Sequence, residues 1–91
     1  MLLTEEQLNA IEELAGFFMQ PTEIAIIIEV DEFEFLEELK NKDSFVYKNF
    51  HKGILKSVVK LRKTQLDFAL KGSQSNFLQM ENYLKQLIIN L

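Results

Sequence analysis

The sequence predicts an all-α fold, and three observations carry that prediction. Apolar residues recur at helical spacing in every long segment. Residues that cap or break helices stand between those segments, and no two segments alternate in a way that would let them pair as strands. The expected architecture is one domain over residues 1–91, with a three-helix unit in residues 1–43 and a long-helix antiparallel hairpin in residues 44–91. A chain of this length buries only roughly 60–65% of its unfolded surface, so association between copies is a natural way to bury more.

The first helix is expected over residues 4–16. Thr4 followed by Gln7 makes a capping-box pattern, and Leu8, Ile11, Leu14, Ala15 and Phe18 then repeat at helical spacing. Gly16 is read as the stop, with Phe17-Phe18-Met19 as an alternative further turn. Pro21-Thr22-Glu23 places a proline where a second helix would begin. The run Ile24-Ala25-Ile26-Ile27-Ile28 admits strand or helix, because five positions do not separate the two periods. The proline start, and the lack of a strand partner, favour a short buried helix. Val30-Asp31 reads as a turn with Asp31 as N-cap of a third helix to about Asn41, on which Phe35, Leu36 and Leu39 face inward.

Asn41-Lys42-Asp43-Ser44 is polar punctuation, with Asp43 or Ser44 as the next cap. The longest periodic segment then runs to Lys71. At 100° per residue, Phe50, Ile54, Val58, Leu61, Phe68 and Ala69 gather on one side, and Lys48, Lys52, Lys56, Lys60 and Lys63 on the opposite one. The apolar sector widens through Leu55, Val59, Leu66 and Leu70, which is more than a small core needs and suggests contact with another copy. Gly53 within this helix marks a bend or a close approach. Gly72-Ser73 ends it, Ser73 or Ser75 caps the next, and a last helix over residues 74–90 carries Phe77, Met80, Leu84, Leu87, Ile88 and Leu91 on one stripe.

The net charge of −4 hides an asymmetry. Residues 1–43 hold twelve acids against Lys40 and Lys42, a balance of −10, and residues 44–91 hold eight bases against Asp67 and Glu81, a balance of +6. Opposed halves point to partner binding by one half or to contact between unlike halves of neighbouring copies. No cysteine is present, so disulfides and thiolate metal sites are excluded. Met1-Leu2-Leu3 is followed at once by Thr4-Glu5-Glu6, unlike a secretory leader, and the apolar run Ile24–Ile28 is far short of the ~20 residues that span a bilayer. A cytoplasmic protein without a membrane partner is the expectation.

Enzyme chemistry lacks parts. His51 is the only histidine, and no Gly-x-Ser-x-Gly elbow is present. Gly53-Ile54-Leu55-Lys56-Ser57 ends like a phosphate loop but lacks both the glycine before Lys56 and a preceding strand. Glu34, Glu37 and Glu38 share a helix face, yet one helix surface offers fewer converging oxygens than a hard cation prefers, so the expectation is a solvated acidic face. The chain is therefore read as a non-enzyme with no metal, cofactor or small-molecule substrate.

The basic stripe is the strongest functional signal. Lys48, Lys52, Lys56 and Lys60 repeat every four residues, Arg62 and Lys63 extend them, and no acid falls between Asp43 and Asp67. An ordinary solvated helix would mix signs and gain ion pairs. These six residues are the candidate contacts to the phosphates of double-stranded DNA. The candidate protein-facing residues are Asp31, Glu32, Glu34 and Glu38 on the acidic helix, with Ile54, Val58 and Leu61 on the long one.

Pro21-Thr22-Glu23-Ile24-Ala25, with Ile28, Val30 and Phe35, has the pattern of a helix-turn-helix, in which small Ala25 lets two helices approach. Glu29 stands where such turns usually have glycine. Together with Leu3-Thr4-x-x-Gln7, Tyr47-x-x-Phe50-x-Lys52-Gly53, Leu61-Arg62, Ala69-Leu70-Lys71-Gly72-Ser73 and Tyr83-Leu84, it resembles the small terminase subunits of tailed bacteriophages and related small helix-turn-helix DNA-packaging proteins. The resemblance implies a DNA-facing motif at residues 21–41, an assembly hairpin at residues 44–90, a homo-oligomer, and a large terminase subunit as the catalytic partner. The third helix departs from the pattern, because Asp31, Glu32, Glu34, Glu37 and Glu38 would repel phosphate in a major groove. Two readings follow: DNA recognition through the lysine stripe, or a helical oligomerisation and adaptor module that binds protein instead.

Overall fold

The computed structural model describes residues 1–91 and is all-helical, with α1 (Glu5–Gly16), α2 (Pro21–Ile27), α3 (Glu32–Lys40), α4 (Phe45–Leu70) and α5 (Gln74–Asn90). The chain forms two compact units, Met1–Ser57 and Val58–Leu91, so α4 runs from one into the other. The sign of charge thus changes at residues 43 and 44, while the packing changes at Ser57 and Val58.

In unit 1 the helix ends are closed by the side chains that their types suggest. Thr4 Oγ1 accepts the Gln7 N–H at 3.0 Å and Gln7 Oε1 accepts the Thr4 N–H at 3.0 Å, a full capping box. Pro21 takes the first position of α2, and Glu23 Oε1 accepts the Gln20 N–H at 2.9 Å. Asp31 Oδ2 accepts the Glu34 N–H at 2.9 Å to open α3. Ser44, not Asp43, caps α4: its Oγ accepts the Tyr47 N–H at 3.0 Å and donates to the Glu38 carbonyl at 2.7 Å.

The isoleucine run is helical through Ile27. Ile24, Ala25 and Ile28 are buried while Ile26 and Ile27 are exposed, a helical period that a strand would have split between two faces. The turn after it closes with the Val30 N–H on the Ala25 carbonyl (3.0 Å) and the Glu29 N–H on the Ile26 carbonyl (3.2 Å), with Glu29 at φ 59°. Glu29 therefore occupies the left-handed position that glycine usually fills, at a steric cost of roughly 1–2 kcal/mol. α1 ends at Gly16 as read from the sequence, but the left-handed position after it again falls on a residue other than glycine. Phe18, at φ 61°, takes the left-handed position, and its N–H donates to the Ala15 carbonyl at 2.9 Å.

Gly16 serves packing instead. Leu8, Glu12 and Gly16 on α1 meet Asn49, Gly53 and Ser57 on α4 in the same order, so the two helices run in the same direction with their fourth-residue rows apposed. Asn49 Nδ2 donates to the Leu8 carbonyl at 3.0 Å and Ser57 Oγ to the Gly16 carbonyl at 2.6 Å. Of the two expectations for Gly53, close approach is the one realised: a Cβ there would stand 2.0 Å from the Glu12 carbonyl oxygen. Beside this crossing lies the core, with Ile11, Ala15, Ile24, Phe35 and Val46 buried and Leu39, Phe50 and Ile54 packed against it.

Unit 2 is built from the end of α4, the Lys71–Ser73 turn and α5. Gly72 has φ 102°, and the Ser73 N–H donates to the Phe68 carbonyl at 2.9 Å, so glycine does take the left-handed position here. Ser73 is the N-cap residue of α5, and its Oγ accepts from Asn76 Nδ2 at 2.9 Å. Arg62 lies over the Tyr83 ring, 4.0 Å from its centroid. Ala69 is buried, but α5 has no buried residue, and Phe77, Leu84, Leu87 and Ile88 of its apolar stripe are more than half exposed.

Candidate functional site

The basic residues of α4 stand in three different environments. Lys52 and Lys56 converge on one carboxylate, with Nζ 3.5 Å from Glu12 Oε1 and 3.0 Å from Glu12 Oε2 respectively. Both lysines remain more than half exposed, and one carboxylate between two ammonium groups leaves a residual positive charge. Lys48 Nζ lies 5.9 Å from the Phe45 ring centroid, and Arg62 is stacked on Tyr83. Lys60 and Lys63 are exposed and have no carboxylate partner within their own unit.

Glu12 is the neighbour of the basic stripe that reading α4 as an isolated helix missed. The hydrophobic count centred the buried face on Phe50 and Ile54, whereas the face laid on α1 runs through Asn49, Gly53 and Ser57. Glycine and hydrogen-bonding side chains bury backbone there, which a hydrophobicity pattern does not register. Paired glycines at 16 and 53 are the only sequence signal for it.

The Lys56 hydrogen bond holds the Glu12 carboxyl below its ordinary range, with the charges of Lys56 and Lys52 adding to it and partial desolvation opposing. A carboxyl lowered in the folded state stabilises the fold above its unfolded pKa and loses that contribution as pH falls through the folded value. Glu12→Gln is therefore expected to lower stability at pH 7 by less than about 1 kcal/mol for so exposed a cluster, read as a lower urea midpoint. The gap to wild type should close on acidification below about pH 4. A pH-independent gap would show that the charge of Glu12 plays no part.

The acidic residues also divide. Asp31 is occupied as the α3 cap, Glu37 holds Lys40 Nζ at 3.1 Å, and Glu38 is half-buried. Glu32 and Glu34 are exposed without an ion-pair partner in unit 1. Glu34, Glu37 and Glu38 do not gather into a metal-binding group. Phe33, two residues before the buried Phe35, is 72% exposed among these carboxylates, on the side opposite the inward face expected through Phe35 and Leu39. Of the residues expected at a partner surface on α4, Ile54 is instead half-buried against the unit 1 core, Val58 is half-buried, and Leu61 is exposed.

His51 Nδ1–H donates to the Tyr47 carbonyl at 2.9 Å, and the ring stacks on Tyr47 with centroids 4.0 Å apart. The segment Gly53–Ser57 lies mid-helix with Gly53 against the Glu12 backbone, so its amides are spent on the helix and do not form a phosphate cradle. Unit 2 has an apolar cleft of about 390 Å³ between Leu66, Ala69 and Leu70 of α4 and Phe77, Met80 and Leu84 of α5. No helix is long and apolar enough to cross a membrane. Comparison with protein-family models, curated proteins and solved structures finds no match.

Proposed function

We propose that this chain is a non-catalytic, small-terminase-like protein that binds duplex DNA through α4 and assembles into a homo-oligomer through unit 2. The observation that carries the reading is the combination of a basic α4 with an α5 that buries none of its residues. Apolar helix faces left open on this scale are the mark of an interaction surface. The short α2, its left-handed turn at Glu29 and the α3 that follows support a helix-turn-helix framework. The exposed Glu32 and Glu34 of α3 repel phosphate, which favours α4 over α3 as the DNA contact. The resemblance implies that the ATPase and nuclease steps of packaging belong to a large terminase subunit.

The test is fluorescence anisotropy on a labelled duplex. Wild type is expected to bind at low salt with log K falling against log salt at a slope of about −4.5 if five bases neutralise phosphates, or about −2.7 if Glu12 withholds Lys52 and Lys56. Lys48→Glu, Lys60→Glu and Lys63→Glu together avoid the Glu12 pair and should lower affinity at least tenfold. An absence of binding by wild type at low salt overturns the DNA reading. A second reading, an adaptor that binds protein and not DNA, is favoured by exposed Phe33 within the acidic helix. It predicts that absence.

A further inference from the structure

The two units carry opposite charge. Unit 1 has twelve acids and five bases, a balance of −7, and unit 2 has two acids and five bases, a balance of +3. The outward side of α3 in unit 1 centres on Phe33, with Glu34 and Glu37 at neighbouring helical positions. The unit 2 part of α4 has the opposite character. Val59, Arg62, Lys63 and Leu66 follow the spacing i, i+3, i+4, i+7 and so share one face, bordered by α5 where Arg62 lies over Tyr83 and Leu66 lines the unit 2 cleft, and on it Val59 is 65% and Leu66 46% exposed. One surface is an aromatic knob bordered by carboxylates, and the other is an aliphatic strip bordered by cations.

We propose that α3 of one copy docks on the unit 2 segment of α4 of the next copy, with Phe33 on Val59 and Leu66, and Glu34 and Glu37 facing Arg62 and Lys63. The occupant is a second copy because the same chain carries both surfaces, matched in apolar character and in charge. The existing Glu37–Lys40 pair is exposed on both sides, so it exchanges for the new contact at little cost. Two different patches on one chain make the contact heterologous, and it propagates from copy to copy into a ring or a filament. It refines the assembly half of the proposed function and rests on that reading. It also makes duplex DNA and the neighbouring copy compete for Lys63.

The experiment is a charge swap read by multi-angle light scattering at low salt without DNA. One variant carries Glu34→Lys and Glu37→Lys, the other Arg62→Glu and Lys63→Glu, and circular dichroism checks that each is folded. Each alone is expected to associate at least roughly tenfold more weakly than wild type, because like charges then face each other across the contact. An equimolar mixture is expected to recover assembly, since the lysines introduced on α3 of one variant face the glutamates introduced on α4 of the other, and the unchanged surfaces of the two still match. Phe33→Ala, at an exposed position, should weaken association without moving the melting temperature, and it decides the matter if a charge variant fails to fold. The contact is overturned if both charge variants keep the wild-type mass, if the mixture fails to recover it, or if wild type is monomeric at high concentration. A wild type that binds duplex yet stays monomeric would remove this contact and leave the DNA reading standing. One that assembles without binding duplex would do the reverse.

Discussion

Gly53→Ala is expected to destabilise the protein by about 3 kcal/mol or more, the upper range for forcing volume into a packed contact. The new Cβ would lie 2.0 Å from the Glu12 carbonyl oxygen and 2.8 Å from its carbonyl carbon. Both are backbone atoms of α1, so no flexible side chain can move aside. Relief requires α4 to withdraw from α1, which pulls Asn49 from the Leu8 carbonyl and Ser57 from the Gly16 carbonyl and opens the packing of Phe50 and Ile54. In an open helix the same change would stabilise by about 1 kcal/mol, so the sign of the effect reports the helix crossing directly. A drop in melting temperature of about 12 °C or more is the expected reading by circular dichroism. Gly16→Ala meets Ser57 Oγ at 3.2 Å and the Gly53 carbonyl at 3.3 Å, and a shift of a few tenths of an ångström accommodates it. Its loss should be clearly smaller. A Gly53→Ala protein that melts at or above wild type would refute the α1–α4 crossing described above.

Phe35→Ala is expected to cost about 3–5 kcal/mol, the range for removing a buried aromatic ring and leaving its cavity. Phe35 is fully buried and is the largest such side chain, at the centre of the cluster that joins the first three helices to the start of α4. Unit 1 has 57 residues, and at roughly 0.05–0.15 kcal/mol per residue its whole stability is of the same order as this loss. The variant should therefore be largely unfolded in unit 1, with helical signal lost and urea resistance gone. Phe33→Ala, two positions away on the same helix, should change stability by no more than about 0.5 kcal/mol. A larger loss at Phe33 than at Phe35 would mean that α3 faces the other way.

Local chemistry made most of the fold legible in the sequence. Thr4 with Gln7, Pro21, Asp31, Ser44 and Gly72 act on backbone groups a few residues away, so their types and spacing locate the helix ends without knowledge of the core. The isoleucine run was open to two readings because β-branched side chains suit strands. Burial of Ile24, Ala25 and Ile28 against the other helices overrides that preference. The candidate surfaces were only half legible. A lysine count on one helix identifies Lys48, Lys60 and Lys63 as exposed, but it cannot see Glu12 arriving from 40 or more residues away to hold Lys52 and Lys56. In the same way Ile54 looked free for a partner because its packing against the unit 1 core depends on another helix.

Sequence alone determined the helical class, the approximate ends of the helices on either side of the isoleucine run, the opposed charge of the two ends and the absence of thiol chemistry. All of these follow from residue type, or from interactions within about one helical turn. Tertiary structure decided what depends on distant backbone. It placed a glycine of α4 on the carbonyl of α1, gave Glu12 two lysines to share, and put Phe18 and Glu29 in left-handed turns without glycine. The physical reason is range: a cap or a period is written in neighbouring residues, but a crossing point is fixed only when two helices compete for the same few ångströms.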